Sequence, residues 1–209
     1  LRMIVWISLP VSVIAYFARG YVVSFVKNGG QPVIASILGS LVLAIFAQSI
    51  FHIASRGFYA RQDTKTPFIV SIIAVGFTMV LSVIFSIIGL GPDGLGWAQS
   101  IGAILEIFIL LFILQKKSRQ NLLNKDFWSA FFRMLIATVV TSVSAYILTK
   151  LLPLRSTDIT VFVTIPKFLA ISLGSMAIYF AASFLLDLEE VQPFFEKLNK
   201  ILFRNLKPK

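Results

Sequence analysis

The 209-residue chain contains no cysteine and only one histidine, His52. Without cysteine there is no disulfide, no thiolate nucleophile and no cysteine-ligated metal, and one histidine cannot form a multi-histidine metal site. The sequence also lacks a Gly-rich phosphate loop, a nucleophile elbow and a pair of carboxylates spaced to work with a base. We therefore expect no metal site, no bound cofactor and no enzymatic activity.

Charge is the second scarce feature. Charged residues make up 13% of the chain and hydrophobic residues 57%, whereas about a quarter of a soluble domain is charged. The apolar residues fall in blocks of about 20, the length with which a helix crosses roughly 30 Å of hydrocarbon. The composition and the block length together predict an all-α integral membrane protein.

The apolar blocks predict a bundle of about six transmembrane helices. Pro10 and Arg19 interrupt the first block. The predicted spans are residues 3–26, 33–55, 67–88, 95–114, 127–152 and 159–186. Residues 191–206 then place apolar side chains on one helical face and mostly charged ones opposite, which predicts a C-terminal interfacial helix. The alternative for this tail is packing on the protein's own loops.

The chain starts with Leu1-Arg2-Met3 and has no signal-peptide pattern, so we expect further segments upstream.

The basic residues predict the orientation of the spans. The net charge is +10, and most of the excess lies in the loops at 56–66 and 115–126 and in the tail. Lys and Arg are retained on the cytoplasmic side of short loops, so both ends of the chain are expected in the cytoplasm. No basic patch remains outside these segments, which argues against nucleic-acid binding.

Polar side chains recur at helical spacing in the first four predicted spans. The four stripes are Ser8, Ser12, Tyr16 and Arg19; Gln48, His52, Ser55 and Arg56; Ser71, Thr78, Ser82 and Ser86; and Gln99, Gly102 and Glu106. One interpretation is a common polar cavity, in which the ionisable members pair with one another or with an anionic substrate. These members are Arg19, His52, Arg56 and Glu106.

The other interpretation of the stripes is ordinary helix packing through small and hydroxyl residues. We favour packing for the serines and threonines. We favour function for Glu106 and Arg19, because ionisable groups are costly inside a membrane, although Arg19 lies near enough to the outer interface to snorkel. Thr138 and Thr141 are expected to help pack the fifth span against the sixth, where Gly174 allows close contact.

The loop after the second span reads RGFYARQDTKTP from Arg56 to Pro67. It resembles the Phe-Tyr-Ala-x-x-Asp-Thr-x-Thr-Pro segment of the MurJ/MviN family, the lipid II flippases of the multidrug/oligosaccharidyl-lipid/polysaccharide exporter superfamily. A Gly-Pro-x-Gly reversal at residues 91–94, a basic loop, two further spans and a basic tail follow in the same order. The resemblance therefore extends over essentially the whole chain.

This resemblance implies a domain organisation. The family has fourteen spans, and the chain is similar to spans nine to fourteen. Residues 1–115 would be the last four helices of the second lobe, and residues 116–127 a cytoplasmic basic loop. Residues 128–188 would be an appended helix pair that forms a groove for the lipid tail, and residues 189–209 a cytoplasmic amphipathic tail.

The resemblance also implies a function in peptidoglycan biosynthesis and cell shape. The family translocates undecaprenyl-pyrophosphate-linked peptidoglycan precursor, lipid II, across the bacterial inner membrane by alternating access, driven by an ion gradient or the membrane potential. The implied partners are this precursor, membrane lipids and the N-terminal lobe of the same protein. The alternatives are an exporter of other undecaprenyl-linked oligosaccharides and a non-transporting scaffold for cell-wall synthesis.

Arg61, Asp63 and Lys65 match the family's loop, where they would steer or gate the substrate or only retain the loop in the cytoplasm. Some family members hold a cation with Asn and Asp one turn apart in the next span. Thr78 and Ser82 stand at the matching positions here. Hydroxyls alone are weak ligands for a hard cation, so we predict no sodium site.

Overall fold

The computed structural model describes residues 2–26, 31–118, 124–154 and 161–192. Within these ranges the chain forms α-helices and one 3₁₀ turn, Glu189–Val191, with no β-strand. The helices are α1 Arg2–Phe17, α2 Arg19–Val26, α3 Pro32–Ser40, α4 Val42–Tyr59, α5 Lys65–Ile87, α6 Gly91–Ser118, α7 Lys125–Leu151 and α8 Val161–Leu185. The predicted all-α membrane bundle is confirmed. The predicted tail helix lies outside the described residues from residue 193 onward.

Among the described residues, five of the six predicted spans are long and apolar enough to cross a membrane if the bent pair is counted as one, and the first is not. The last four predicted spans are single helices, α5 to α8, each long and apolar enough to cross a membrane. The second predicted span is a bent pair, α3 and α4, with an angle of 40° at Leu41. The first is divided into the 16-residue α1 and the shorter α2, and the break lies at Ala18 beside Arg19. Pro10, expected to interrupt this span, lies within α1.

A tyrosine from another helix explains why α1 continues through Pro10. Proline has no N–H, so the carbonyl of Trp6, four residues earlier, loses its helical partner. The Tyr179 hydroxyl of α8 donates to this carbonyl at 2.8 Å. The Trp6 indole in turn donates to the Ser183 hydroxyl at 3.1 Å. All four side chains are buried, so α8 replaces the missing bond and is fixed to α1 by it.

The main apolar core surrounds Trp6. It contains buried side chains from α1, α4, α6, α7 and α8, among them Val5, Ala47, Ile107 and Met134. In this arrangement α1 packs against α4, α7 and α8, while α6 packs against α3, α4 and α5. At the beginning of α1, Arg2 forms an ion pair of 2.5 Å with the buried Glu190. The beginning of α1 is therefore tied to the segment that follows α8.

The packing of α7 on α8 agrees with the prediction. The Thr138 and Thr141 hydroxyls are buried and donate to carbonyls four residues earlier in α7, at 2.6 and 2.8 Å. A Cβ atom added at Gly174 would lie 3.1 Å from the Leu148 side chain, which shows how closely α8 approaches α7 there. Self-satisfied hydroxyls and a glycine let two apolar helices meet closely.

We expect Tyr179→Phe to lower the free energy of unfolding by about 1 kcal/mol, because the Trp6 carbonyl loses its donor. The loss should be smaller in a Pro10→Ala background, where the new N–H can bond that carbonyl. Thermal unfolding in detergent measures both. Tyr146→Phe, an exposed tyrosine of α7, is the control. Equal effects of Tyr179→Phe in the two backgrounds would contradict the role of Pro10.

Candidate functional site

A cavity of about 400 Å³ lies between α5 and α6. Its polar lining comes from Thr78 and Ser82 of α5 and from Gln99 and Glu106 of α6, and the remaining lining is apolar apart from Gly102. A Cβ atom at Gly102 would collide with the Thr78 hydroxyl, so the glycine lets the two helices approach at the cavity. The structure thus brings the third and fourth predicted polar stripes together.

Glu106 is the ionisable residue of this cavity lining. Its side chain is buried, with 9% relative exposure, and the Ser71 hydroxyl donates to its Oε1 atom at 2.6 Å. None of the ion pairs among the described residues includes Glu106. A carboxylate within a span is costly to place there, so one that faces a cavity is a candidate for function rather than for packing.

The hydroxyls beside Glu106 are already engaged as donors. Thr78 donates to the Ala74 carbonyl at 2.9 Å and Ser82 to the Thr78 carbonyl at 2.8 Å. Their oxygens can still accept hydrogen bonds from a molecule in the cavity. In the described part of the chain, no three His, Asp or Glu side chains are grouped closely enough to hold a metal ion.

The loop at residues 60–64, between α4 and α5, forms a second polar site. Asp63 accepts hydrogen bonds from the Thr66 backbone N–H at 3.1 Å and from the Thr66 hydroxyl at 2.6 Å. Lys117, near the end of α6, donates to the same carboxylate at 2.5 Å. Asp63 therefore accepts a hydrogen bond from the Thr66 N–H, one of the amides in the first turn of α5 that have no carbonyl partner within the helix. It also ties the loop to α6.

Lys117 sets the electrostatics of this loop. Its hydrogen bond, followed by those from Thr66, holds the pKa of Asp63 well below its ordinary value. Sequence reasoning missed this partner, because Lys116 and Lys117 served only as evidence of a cytoplasmic loop. The separation of 54 residues between Lys117 and Asp63 left no local pattern to indicate the pair.

The other predicted site residues lie away from the α5–α6 cavity. Arg61 and Lys65 are exposed on the loop and in the first turn of α5, and His52 and Arg56 are exposed on α4. The Arg19 guanidinium lies at the start of α2, 4.4 Å from the centre of the Tyr16 ring. None of these residues belongs to the cavity lining. Their roles in the substrate path or in gating stay predictions.

Comparison with known proteins shows which family the chain matches. Residues 1–181 match the sequence profile described as lipid II flippase MurJ. The chain is 27% identical over 123 residues to the probable lipid II flippase MurJ of Borreliella burgdorferi, covering 56% of this chain and 24% of that protein. It is 35% identical over 78 residues to the lipid II flippase MurJ of Thermosipho africanus, covering 37% of this chain and 16% of that protein. The matched stretches thus span a quarter or less of each relative.

We expect Asp63→Asn to lower the melting temperature by the same amount at pH 5 and pH 8. A lowered pKa means that the carboxylate contributes its full stabilisation above its ordinary pKa and loses it only as the pH falls further, through the lowered value. Thermal unfolding of the variant and the wild type at both pH values measures this. Asp126→Asn, an exposed aspartate of α7, is the control. A difference that disappears at pH 5 would contradict the assignment.

Proposed function

The chain belongs to the lipid II flippase MurJ family, and from this membership we propose that it forms the C-terminal part of a flippase in the bacterial inner membrane. The flippase would move undecaprenyl-pyrophosphate-linked peptidoglycan precursor between the leaflets by alternating access. The observation that carries the proposal is the family match over residues 1–181, which includes every described helix up to most of α8.

The physical demand of this transport agrees with the composition of the bundle. A charged sugar-peptide head cannot cross hydrocarbon without polar groups to replace its water, whereas an isoprenoid tail can remain in lipid. The cavity with Thr78, Gln99 and Glu106 supplies such groups between two largely apolar helices. We assign this cavity to one wall of the path and the remaining walls to the N-terminal lobe.

The loop at residues 60–64 and the first turn of α5 are proposed to meet the substrate at the cytoplasmic face. Asp63 is engaged by Lys117, so Arg61 and Lys65 leave the loop basic. Basic side chains at the entrance attract a diphosphate and raise its local concentration. In this assignment Asp63 shapes the loop, and Arg61 and Lys65 steer the substrate.

The proposed orientation places both ends of the chain in the cytoplasm. It rests on the basic residues of the loops and the tail. The helix pair α7 and α8 exposes large apolar side chains along its length, including Val139, Val143 and Leu173, and we assign it to the lipid tail. An ion gradient or the membrane potential is the proposed energy source.

The full-length gene that encodes this chain should restore growth to bacteria depleted of their own lipid II flippase. The expected result is rescue at a protein level that immunoblotting shows to be normal. Failure of a well-expressed protein would overturn the proposal and favour transport of another undecaprenyl-linked oligosaccharide, or the scaffold.

Within the rescuing protein, Glu106→Gln should reduce lipid II translocation several-fold and leave membrane insertion unchanged. Glutamine keeps the side-chain volume and still accepts a hydrogen bond from Ser71, but it removes the negative charge from the cavity. Translocation rates in vesicles and the amount of membrane-inserted protein are the two measurements.

The matched control is Glu189→Gln, the same chemical change at an exposed side chain of the 3₁₀ turn, away from the cavity, where the carboxylate pairs with Arg2 at 3.2 Å. Full translocation by Glu106→Gln would show that the buried carboxylate serves packing only.

A further inference from the structure

The bend between α3 and α4 has a polar side chain of another helix at its centre. The two helices meet at Leu41 with an angle of 40°, and residues 33–59 contain no proline. Sharp bends without proline arise at Gly/Ser pairs or where a side chain enters the helical hydrogen-bond ladder. A Gly39-Ser40 pair precedes Leu41, and a side chain enters the ladder at the next turn.

That side chain is Ser100 of α6. Its hydroxyl donates to the Ser40 carbonyl at 2.6 Å and accepts from the Ala44 N–H at 3.1 Å. In a continuous helix the Ala44 N–H would bond the Ser40 carbonyl directly. The Ser100 hydroxyl therefore stands between the two halves of one backbone hydrogen bond, and we call this arrangement the Ser100 bridge.

The bridge is closed to solvent and closely fitted. Ser100 has 0% relative exposure. One turn earlier in α6, Gly96 faces the last turn of α3, where an added Cβ atom would collide with the Ser40 side chain and lie 3.2 Å from the Ile37 carbonyl oxygen. The absence of a side chain at Gly96 thus allows α6 to come close enough for Ser100 to reach the broken turn.

A second arrangement would satisfy the same three groups. If the span straightened, the Ala44 N–H could bond the Ser40 carbonyl, and the Ser100 hydroxyl could donate to the carbonyl of Gly96 in its own helix. Other hydroxyls of this chain already make that bond to the carbonyl four residues earlier, as Ser82 and Thr141 do. Neither arrangement leaves one of these groups unpaired in hydrocarbon, so hydrogen bonding at this turn does not exclude the straight form.

We propose that Ser100 is a positioning residue that holds the α3–α4 span bent in one state of the transport cycle and releases it as a straight helix in another. The transport half of this inference rests on the proposed function. Straightening would move the start of α3 sideways by about 9 Å, from its nine residues, the 1.5 Å rise per residue and the 40° bend. Because α3 packs on α2 and α6, this movement would alter the outer end of the bundle.

Distances between spin labels test the bend itself. Labels on Val33→Cys and Leu151→Cys, both exposed sites, report the position of α3 relative to the end of α7 in the full-length protein freed of other cysteines. Ser100→Ala should shift the distance distribution by several ångströms toward the straight form. The ratio of straight to bent protein should rise about fivefold, the factor expected for one hydrogen bond. Gly96→Ala, which separates α6 from α3, should shift the distribution in the same direction.

Ser49→Ala is the matched control, because its hydroxyl lies in α4 and donates to the Ile45 carbonyl of the same helix. It should leave the distribution at the wild-type position. A Ser100→Ala distribution equal to that of the wild type would overturn the inference, since the bend would then persist without the bridge.

Translocation rates test the link to transport. At equal protein levels Ser100→Ala should slow lipid II translocation about fivefold, and Ser49→Ala should not. If the distances shift but the translocation rate does not change, the role of Ser100 in transport is overturned, and its effect on the bend between α3 and α4 is upheld. A wild-type protein that does not translocate lipid II would refute the proposed function. The distance measurement would still show whether Ser100 holds the span bent.

Discussion

Hydrocarbon offers no hydrogen-bond partner, so every backbone N–H and C=O group in a spanning helix must be satisfied by the protein itself. This chain interrupts its helical ladder at Pro10 in α1 and at Leu41 between α3 and α4. Each time a buried hydroxyl of another helix restores a partner, Tyr179 in the first case and Ser100 in the second. These contacts also fix which helices are neighbours, since one joins α1 to α8 and the other joins the bent span to α6.

The sequence sufficed to predict helices and spans, because composition and block length are properties of the chain alone. The helix Lys65–Ile87 was expected at 67–88, for example. The positions of the breaks depend on partners distant in sequence. Pro10 looked like an interruption, since nothing local shows that a tyrosine far along the chain replaces its missing bond. The bend at Leu41 was not predicted, because its cause is a serine 60 residues from Ser40.

In the candidate site, too, local sequence features could be predicted and contacts between distant residues could not. Helical periodicity tells which polar residues share a face, and it does not tell which faces meet. The stripes of α5 and α6 do meet, as expected of two helices joined by a turn at residues 88–90. Among the described helices, α1 and α2, which carry the first stripe, do not pack on α5 or α6, and the stripe of α4 stays apart from the cavity although α4 packs on α6. Glu106 stood out by its charge within an apolar block, whereas Lys117 was hidden among basic residues that already had a topological explanation.

The bond from Tyr179 to the Trp6 carbonyl also sets an order of events during biosynthesis. Ribosomes deliver the spans in sequence, so α1 reaches the membrane long before α8 has been made. Throughout this interval the Trp6 carbonyl lacks the donor that Pro10 cannot supply. Completion of the hydrogen bonding of α1 therefore waits until α8 has been made and has packed against it.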